Sequence, residues 1–372
     1  MIDRERLLQT FLDLVRISSP SKQERGVADY LKERLTEAGF EVREDDAGTK
    51  LGGNAGNLIA TKEGPSTAGA SIFFSAHMDT VEPTEGMEPV VTEDGVIRSD
   101  GKTVLGADCK AGIAATLEAA RSAVERKIPF RTLQLLYSVS EETGLLGAKQ
   151  IDPKEVKAEM GFVFDTEKPV AGIVLGAPTH DVLNVKIIGK SAHAGIHPEA
   201  GINAITVASR AIAGMKLGRI DEETTANVGV IHGGKATNVV PDEVEVRAEA
   251  RSRDEQKLAA QVEHMTRAFR EAADEAGARV EIEVMREYSM YRFAPDDPAI
   301  KLAQRAARAV GIEPQLIFAG GGSDANTYNE KGLPAVVIGV GYEGPHSREE
   351  NIPIENLMKI AQFALELIRQ AS

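Results

Sequence analysis

Polar residues that can bind metal or carry protons follow several short apolar segments of this sequence. His77 and Asp79 come two apart at the end of the run SIFFSAHMD, and residues two apart on a strand face the same side. A histidine that binds metal through one ring nitrogen usually donates its other N–H to an acceptor, and Asp79 is placed to be that acceptor. Taken alone, the pair is more typical of a surface histidine beside a solvated carboxylate.

Acidic residues occupy comparable positions further along the chain. Asp108, in LGADCKAG, precedes a predicted helix that begins near Ala111, and the positive end of a helix stabilises a carboxylate. Glu141 and Glu142, in SEETG, directly follow an apolar strand. Adjacent carboxylates repel each other, so we expect separate partners, a metal for one and a proton for the other. An ordinary helix-start aspartate and an exposed acidic loop are the alternatives.

Asp165 closes the strand GFVFD, and His346 lies in GPHS after another apolar run. The carboxyl ends of parallel strands converge on one crevice, so these groups are expected to meet there. Two histidines and three carboxylates suit two divalent cations that share one carboxylate and lower the pKa of water. The chain has one cysteine, so its metal ligands must be His and carboxylate. We expect two Zn²⁺ per chain, with Co²⁺ or Mn²⁺ as substitutes.

The elements that must position these residues alternate between strands and helices up to about residue 178 and again from about 294. This alternation predicts the α/β class, with a largely parallel sheet flanked by helices. Between them, strands grouped around two helices predict an inserted α+β lid. The predicted division is a catalytic domain formed by residues 1–178 and 294–372, and a lid and dimerisation domain of residues 179–293.

Five motifs in this order, SAHMDTV, LGADCKAG, SEETG, FVFD and GPHS, resemble the cocatalytic zinc exopeptidase and deacylase family that includes peptidase T, carboxypeptidase G and acetylornithine deacetylase. The resemblance spans nearly the whole chain and is nearest to peptidase T-like proteins. It implies that Asp108 bridges two metals, which His77 and Asp165 complete on one side and Glu142 and His346 on the other. It further implies that Glu141 is the general base and that Asp79 orients His77.

The lid motifs resemble the same family. In GKSAHAGIHPEAGINAI the resemblance makes His193 the donor that stabilises the oxyanion of the tetrahedral intermediate. In HGGKATNVVPDEVEVRAEAR it makes Asn238 and Arg251 ligands of a substrate carbonyl or carboxylate. Gly321 and Gly322, in AGGGSDAN, are expected to give the substrate pocket a backbone wall. Each of these residues has a structural alternative: a loop histidine, a strand-end asparagine, an exposed arginine and a flexible loop.

The composition of the chain limits the classes of partner that we expect. A formal net charge of −14 repels phosphate backbones and anionic lipid, so we expect neither nucleic acid nor membrane as a partner. The amino-terminal segment lacks a signal-like apolar core, which predicts a cytoplasmic protein. Short peptides are the expected substrates, and a homodimer through the lid domain is a further expectation.

The predicted activity is that of a dinuclear zinc exopeptidase cleaving short peptides, similar to a tripeptidase T aminopeptidase. An N-acyl amino acid deacylase and a carboxypeptidase of the same family are alternatives, as is a noncatalytic metal- or peptide-binding protein. GVGYEG, residues 339–344, matches a dinucleotide fingerprint, but Pro345 follows it rather than a helix. A cysteine hydrolase built on Cys109 is disfavoured, because a neighbour of Asp108 in an extended turn is expected to point away from it.

Overall fold

The chain is described by a computed structural model that covers residues 1–167 and 169–372. Its contacts divide it into two compact units. Unit 1 comprises Met1–Gly176, Arg292–Ala319 and Ser323–Ser372, and unit 2 comprises Ala177–Tyr291 and Gly320–Gly322. The main boundaries lie two residues before the predicted ones. Gly320–Gly322 groups with unit 2, whereas the sequence division placed it in the catalytic domain.

Helices and strands follow one another along the chain as predicted for an α/β protein. The helices are α1 Arg4–Arg16, α2 Arg25–Glu37, α3 Ala47–Leu51, α4 Ala107–Glu125, α5 Leu146–Gln150, α6 Ala204–Ala213, α7 Glu255–Ala276, α8 Pro298–Ala309, α9 Asp324–Glu330 and α10 Ile354–Ala371, with 3₁₀ turns at Pro153–Glu155 and Pro198–Ala200. The strands are β1 Glu41–Glu44, β2 Leu58–Glu63, β3 Ile72–His77, β4 Val90–Val91, β5 Val96–Arg98, β6 Thr132–Ser138, β7 Met160–Val163, β8 Ile173–Ala177, β9 Thr179–Ile188, β10 Gly218–Arg219, β11 Thr224–Gly233, β12 Glu243–Ser252, β13 Arg279–Tyr288, β14 Tyr291–Arg292, β15 Leu316–Phe318, β16 Ala335–Val337 and β17 Asn351–Pro353.

Unit 1 is built on a six-stranded sheet in the order β1-β2-β6-β3-β7-β16. Strands β6, β3, β7 and β16 are parallel, and β1 and β2 join as an antiparallel edge. The predicted largely parallel sheet is confirmed. Every residue of β3 and β6 is buried, which explains why both read as continuous apolar runs rather than alternating ones.

The register of this sheet brings the chemistry-bearing loops to one edge. His77 at the end of β3 pairs with Ser138 at the end of β6, and Ser75 pairs with Val163 at the end of β7. The loops that carry Glu141, Glu142 and Asp165 therefore leave the sheet beside His77. Helix α4 packs on β3 and is itself covered by α1 and α10, so the start of α4 is held against the same edge.

Unit 2 is an antiparallel sheet in the order β10-β11-β12-β9-β13. Burial alternates with period two along β9 and β12, so one face is buried, and α6 and α7 pack against the sheet. Strands followed by helices of this kind make the α+β arrangement predicted for the insertion. Among the described residues, no helix combines the length and apolarity needed to cross a membrane.

Candidate active site

His77 is the last residue of β3, and its side chain is 1% exposed. Its Nδ1 lies 2.8 Å from the backbone carbonyl oxygen of Asp79, the geometry of an N–H donor facing an acceptor. Its Nε2 lies 3.1 Å from Asp108 Oδ1 and 3.5 Å from Asp165 Oδ1. With the proton on Nδ1, Nε2 faces two carboxylates, an arrangement that a second ring proton or a bound cation between them would satisfy.

Asp108 lies between the two histidines. Its Oδ1 faces His77, and its Oδ2 lies 3.5 Å from His346 Nε2. The backbone of Asp108 and Cys109 is non-helical although both residues fall within α4, so the regular helix begins just after them. Burial alone would raise the pKa of Asp108, but hydrogen bonds with His346 and His77 hold it below its usual range.

Glu142 and His346 form the outer part of the cluster. His346 Nε2 lies 3.0 Å from both carboxylate oxygens of Glu142. The His346 side chain is 54% exposed, in contrast to the buried His77. Asp108 and then Glu142 raise the pKa of His346 to about 10, because both carboxylates stabilise its protonated form. A divalent cation would meet the same demand for positive charge.

Glu141 is buried beside this cluster. One carboxylate oxygen of Glu141, one of Glu142 and a ring nitrogen of His77 all lie within 4.8 Å of one another. Burial, and after it the charge of Asp165, raise the pKa of Glu141 well above its ordinary value. Asp165 lies on the other side of the cluster. One of its carboxylate oxygens lies within 4.8 Å of a carboxylate oxygen of Asp108 and of a ring nitrogen of His77.

The carboxylate of Asp79 is fully buried and holds the turn that carries the two glutamates. Asp79 Oδ1 accepts the backbone N–H of Glu141 at 2.9 Å, and Oδ2 accepts the N–H of Glu142 at 3.2 Å and the hydroxyl of Ser21 at 2.6 Å. Asp79 Oδ1 lies 3.6 Å from His77 Nδ1, further away than the backbone oxygen of the same residue. Asp79 thus contacts His77 mainly through its backbone and the glutamate turn through its side chain.

Two residues of this support were not singled out in the sequence. Ser21 contacts Asp79, and the buried Glu24 accepts the backbone N–H of Ser140 at 2.9 Å. Both lie in the loop before α2 and at its start, more than fifty positions from the residues they hold. No local pattern marks such a contact, so only the folded chain reveals it.

The donor set fits divalent cations. Asp108 belongs to one group with His77 and Asp165 and to another with Glu142 and His346. Burial lowers the pKa of His77, yet Asp165 and then Asp108 outweigh it and hold that pKa well above its ordinary value. Imidazole and carboxylate are ligands that Zn²⁺, Co²⁺ and Mn²⁺ accept.

Cys109 departs from expectation. It is buried, but its Sγ lies within 4.8 Å of donor atoms of His77, Asp108 and Asp165, so the prediction that it points away from Asp108 is wrong. The backbone at residues 108 and 109 accounts for the difference, because the prediction assumed an extended turn and Cys109 has ψ 22°. The thiol donates to the carbonyl of Phe164. Burial and then Asp165 raise the pKa of Cys109, which keeps the thiol protonated and disfavours a cysteine nucleophile.

In unit 2, His193 and Asn238 lie in neighbouring exposed loops. His193 forms a β-bridge with Val239, and Ala194 donates its N–H to the Asn238 carbonyl at 3.0 Å. His193 Nδ1 accepts the N–H of Gly195 at 3.2 Å, which leaves Nε2 to carry the ring proton. The two predicted lid residues are thus brought together.

Arg251 lies near the end of β12 among other polar groups. Its Nε and Nη2 donate to the two carboxylate oxygens of Glu249 at 3.2 and 2.9 Å, and its Nη1 donates to Tyr288 Oη at 3.3 Å. Gly322 donates its N–H to the same Tyr288 oxygen at 2.9 Å, and a Cβ on Gly322 would lie 2.3 Å from the Tyr288 ring. A Cβ on Gly321 would lie 3.6 Å from Arg251 Nη1. Gly322 therefore allows the backbone to approach the Tyr288 ring closely, whereas Gly321 leaves room for a Cβ beside Arg251.

Arg251 and the His193–Asn238 pair lie at opposite ends of β12. Asn238 precedes the strand, which begins at Glu243, and Arg251 is its penultimate residue. Eight residues of extended chain span about 26 Å at roughly 3.3 Å each. A tripeptide extends over only about 10 Å. The strand between the two ends is therefore longer than a bound tripeptide, which favours different contacts for the two ends.

The glycine run at residues 339–344 opens no helix. It lies in a loop after β16, and β17 and α10 are the next elements. A dinucleotide site needs a helix amino terminus after the glycines to bind phosphate, and none follows here, so these glycines do not indicate dinucleotide binding.

Clustered imidazoles and carboxylates at the carboxyl edge of a parallel sheet define a candidate metal-dependent hydrolase. A family model described as Peptidase family M20/M25/M40 matches residues 73–370. The chain belongs to this family, and it is a hydrolase of the peptidase class.

Proteins of similar sequence and structure match this chain along its whole length. A Bacillus subtilis (strain 168) protein called uncharacterized, YqjE, is 44% identical over 372 residues, which cover 100% of both chains. The crystal structure of a tripeptidase from Staphylococcus aureus Mu50 has a TM-score of 0.96 and 42% identity, covering 100% of this chain and 99% of that one. The crystal structure of an aminopeptidase PepT from Bacillus cereus ATCC 10987 has a TM-score of 0.91 and 44% identity, with the same coverage.

Proposed function

We propose that the protein is a dinuclear zinc aminopeptidase of the tripeptidase T type, which hydrolyses short peptides with Glu141 as general base. The observation that carries the proposal is the sharing of Asp108 between two donor groups, with the buried Glu141 beside them. The tripeptidase and PepT relatives support the substrate class, because both match the whole chain at more than 40% identity. A cytoplasmic location stays a prediction.

The residues that would hold the cations form two sets, and Asp108 belongs to both. His77 and Asp165 would complete one set, and Glu142 and His346 the other. When bound, the cations supply positive charge that lowers the pKa of water and polarises the peptide carbonyl group. Asp79 supports both sets, since it contacts His77 through its backbone oxygen and the Glu142 amide through its carboxylate.

Glu141 would take the proton from the attacking water and deliver it to the leaving amine. Its backbone N–H is fixed by Asp79, which holds the carboxylate beside His77 and Glu142. Burial favours the protonated carboxyl group, so Glu141 can hold a proton between the two transfers. Proton transfer of this kind contributes about 10²- to 10⁴-fold to rate.

His193 and Arg251 would act on the substrate from two chains of a homodimer. An imidazole N–H can stabilise a developing oxyanion by about 3 to 4 kcal/mol. Arg251 has five N–H donors, and after those to Glu249 and Tyr288 two remain for a substrate carboxylate. Because these two residues lie at opposite ends of β12, we propose that the His193 loop of one chain serves the active site of the other.

Chelation and a substrate panel test the proposal. Removing metal should abolish tripeptide hydrolysis, and Zn²⁺, Co²⁺ or Mn²⁺ should restore it. The panel compares a tripeptide with a free amino terminus, its N-acetylated form and its carboxy-terminal amide. An aminopeptidase loses the acetylated substrate, a carboxypeptidase loses the amide, and a deacylase prefers the acetylated form. Hydrolysis that survived thorough chelation would contradict the metal mechanism.

A further inference from the structure

Glu350 is an acidic residue at the cluster for which the reaction described above has no role. It follows His346 by four positions and is 1% exposed. Its Oε2 accepts the backbone N–H of Gly106 at 2.7 Å, and its Oε1 accepts the backbone N–H of Asp108 at 2.8 Å. Both carboxylate oxygens therefore bind the turn that presents Asp108.

The amide groups of this turn lie at the start of α4. Gly106 has φ +76°, and Asp108 has ψ 103°, so neither residue is in helical conformation. The first amides of a helix have no partner within it and need an acceptor from elsewhere. Glu350 supplies that acceptor for two of them. This contact binds the backbone from which the Asp108 carboxylate extends.

Glu350 also belongs to the segment that carries His346. Ser347 Oγ donates to the carbonyl of Gly344 at 2.8 Å, and the N–H of Glu350 donates to the carbonyl of Ser347 at 3.3 Å. Just beyond, Asn351 exchanges two backbone hydrogen bonds with Glu343, which closes the loop at its base. His346 and Glu350 are therefore held in one turn.

We propose that Glu350 is a positioning residue, which fixes Asp108 and His346 relative to each other and thereby sets the affinity for the cation that Asp108, Glu142 and His346 would share. The inference rests on the proposed metal function, and it adds a residue outside the ligand set to the determinants of metal affinity.

A buried carboxylate that only stabilises the fold should affect the melting temperature and not the metal affinity. Glu118 is 2% exposed, lies on α4 and accepts hydrogen bonds from Arg6 and from the N–H of Asp3. It is thus a buried carboxylate on the same helix as Asp108, bonded to residues outside the candidate metal cluster. Glu118→Gln is the matched control, because it should lower the melting temperature without changing metal affinity.

The test measures Co²⁺ binding to chelator-treated Glu350→Gln, Glu350→Asp, Glu118→Gln and unmodified protein, by titration calorimetry and by visible absorption of the bound ion. Glutamine keeps the shape but places an NH₂ donor against one of the two amides. We expect Glu350→Gln to bind one of two Co²⁺ ions about 10- to 100-fold more weakly, with an altered spectrum, and Glu118→Gln to bind both as the unmodified protein does.

Three results would overturn the inference. The first is wild-type affinity and spectrum in folded Glu350→Gln. The second is an equal loss of affinity in Glu118→Gln. The third is failure of both Glu350 variants to fold, because positioning alone predicts a folded apoprotein. If the unmodified protein binds no Co²⁺, the proposed function itself fails, which is a separate and recognisable outcome.

Discussion

Asp79 accepts the backbone N–H of Glu141 at 2.9 Å, so the carboxylate beside the first histidine fixes the residue proposed as general base. The same side chain accepts the N–H of Glu142 and the hydroxyl of Ser21. One buried carboxylate therefore sets the path of a turn that supplies both a proton acceptor and a metal ligand. Its main contact with His77 is made by the backbone.

Replacing Asp79 with asparagine should lower kcat for a tripeptide by about 10- to 100-fold. The amide keeps the size of the side chain but turns an NH₂ group towards a backbone N–H, which displaces the glutamate turn. Steady-state kinetics on metal-loaded protein measure the effect. Ser21→Ala is the control, since it removes one hydrogen bond to the carboxylate and keeps its charge, and it should cost less. Equal kcat in Asp79→Asn and unmodified protein would refute the positioning role.

Arg6 should matter for stability and not for catalysis. It contacts the buried Glu118 through Nε and Nη2 at 2.6 and 3.0 Å and so joins α1 to α4. Arg6→Met leaves that carboxylate buried without its cation, which costs about 3 kcal/mol in unfolding free energy. Urea denaturation measures the loss. Arg34→Met, at the more exposed pair with Glu37, should change it by less than about 1 kcal/mol. Equal effects at both sites would contradict this account.

Acid should destabilise unit 2 partly through Glu249. His180, whose Nε2 lies 3.0 Å from Glu249 Oε2, outweighs burial and, together with Arg251, lowers the pKa of Glu249 to about 2. The unfolded value is near 4.3, so the unfolded chain binds the proton first as the pH falls. The stabilisation by Glu249 is complete above about pH 4.3 and is lost as the pH falls towards 2. Glu249→Gln should therefore flatten the pH dependence of the unfolding free energy in this window. An unchanged slope between about pH 4.3 and 2 would show that Glu249 titrates alike in both states.

Mixing two inactive variants tests whether His193 serves a second chain. His193→Ala lacks the proposed oxyanion donor, and Glu141→Gln lacks the base. If chains exchange in a homodimer, half of the dimers are mixed and each has one intact site, which gives about a quarter of the unmodified activity. Tripeptide hydrolysis after co-refolding measures the recovery. No recovery, with mixed dimers verified by mass, would place His193 in the active site of its own chain.

Much of the site could be predicted because its residues follow the ends of buried strands. His77 is the last residue of β3, and Asp165 lies two residues after the end of β7. Because parallel strands end at the same edge of a sheet, the two residues come together there. The apolar patterns predict a strand at SIFFSAHMD and a helix that begins near Ala111, which agree within a few residues with β3 and with the regular part of α4. The antiparallel pair β1 and β2 was not predicted, because short edge strands carry little periodicity.

The supporting contacts could not be predicted for a different reason. Glu350 and Glu24 bind backbone amides far away in sequence, and an amide acceptor needs no particular residue opposite it. The direction of Cys109 depended on two non-helical residues at the start of α4, which no apolar pattern indicates. Gly321 and Gly322 were expected at a substrate wall, and their closeness to Tyr288 and Arg251 follows from the fold of unit 2.

The most direct test of the proposed mechanism is the tripeptidase rate of Glu141→Gln protein whose metal content has been measured. The glutamine cannot accept the proton of the attacking water, while His77, Asp108, Asp165, Glu142 and His346 remain to hold the cations. The account predicts two metal ions per chain, as in the unmodified protein, and a kcat lower by at least about 10²-fold. Hydrolysis at the unmodified rate with both metals bound would contradict it.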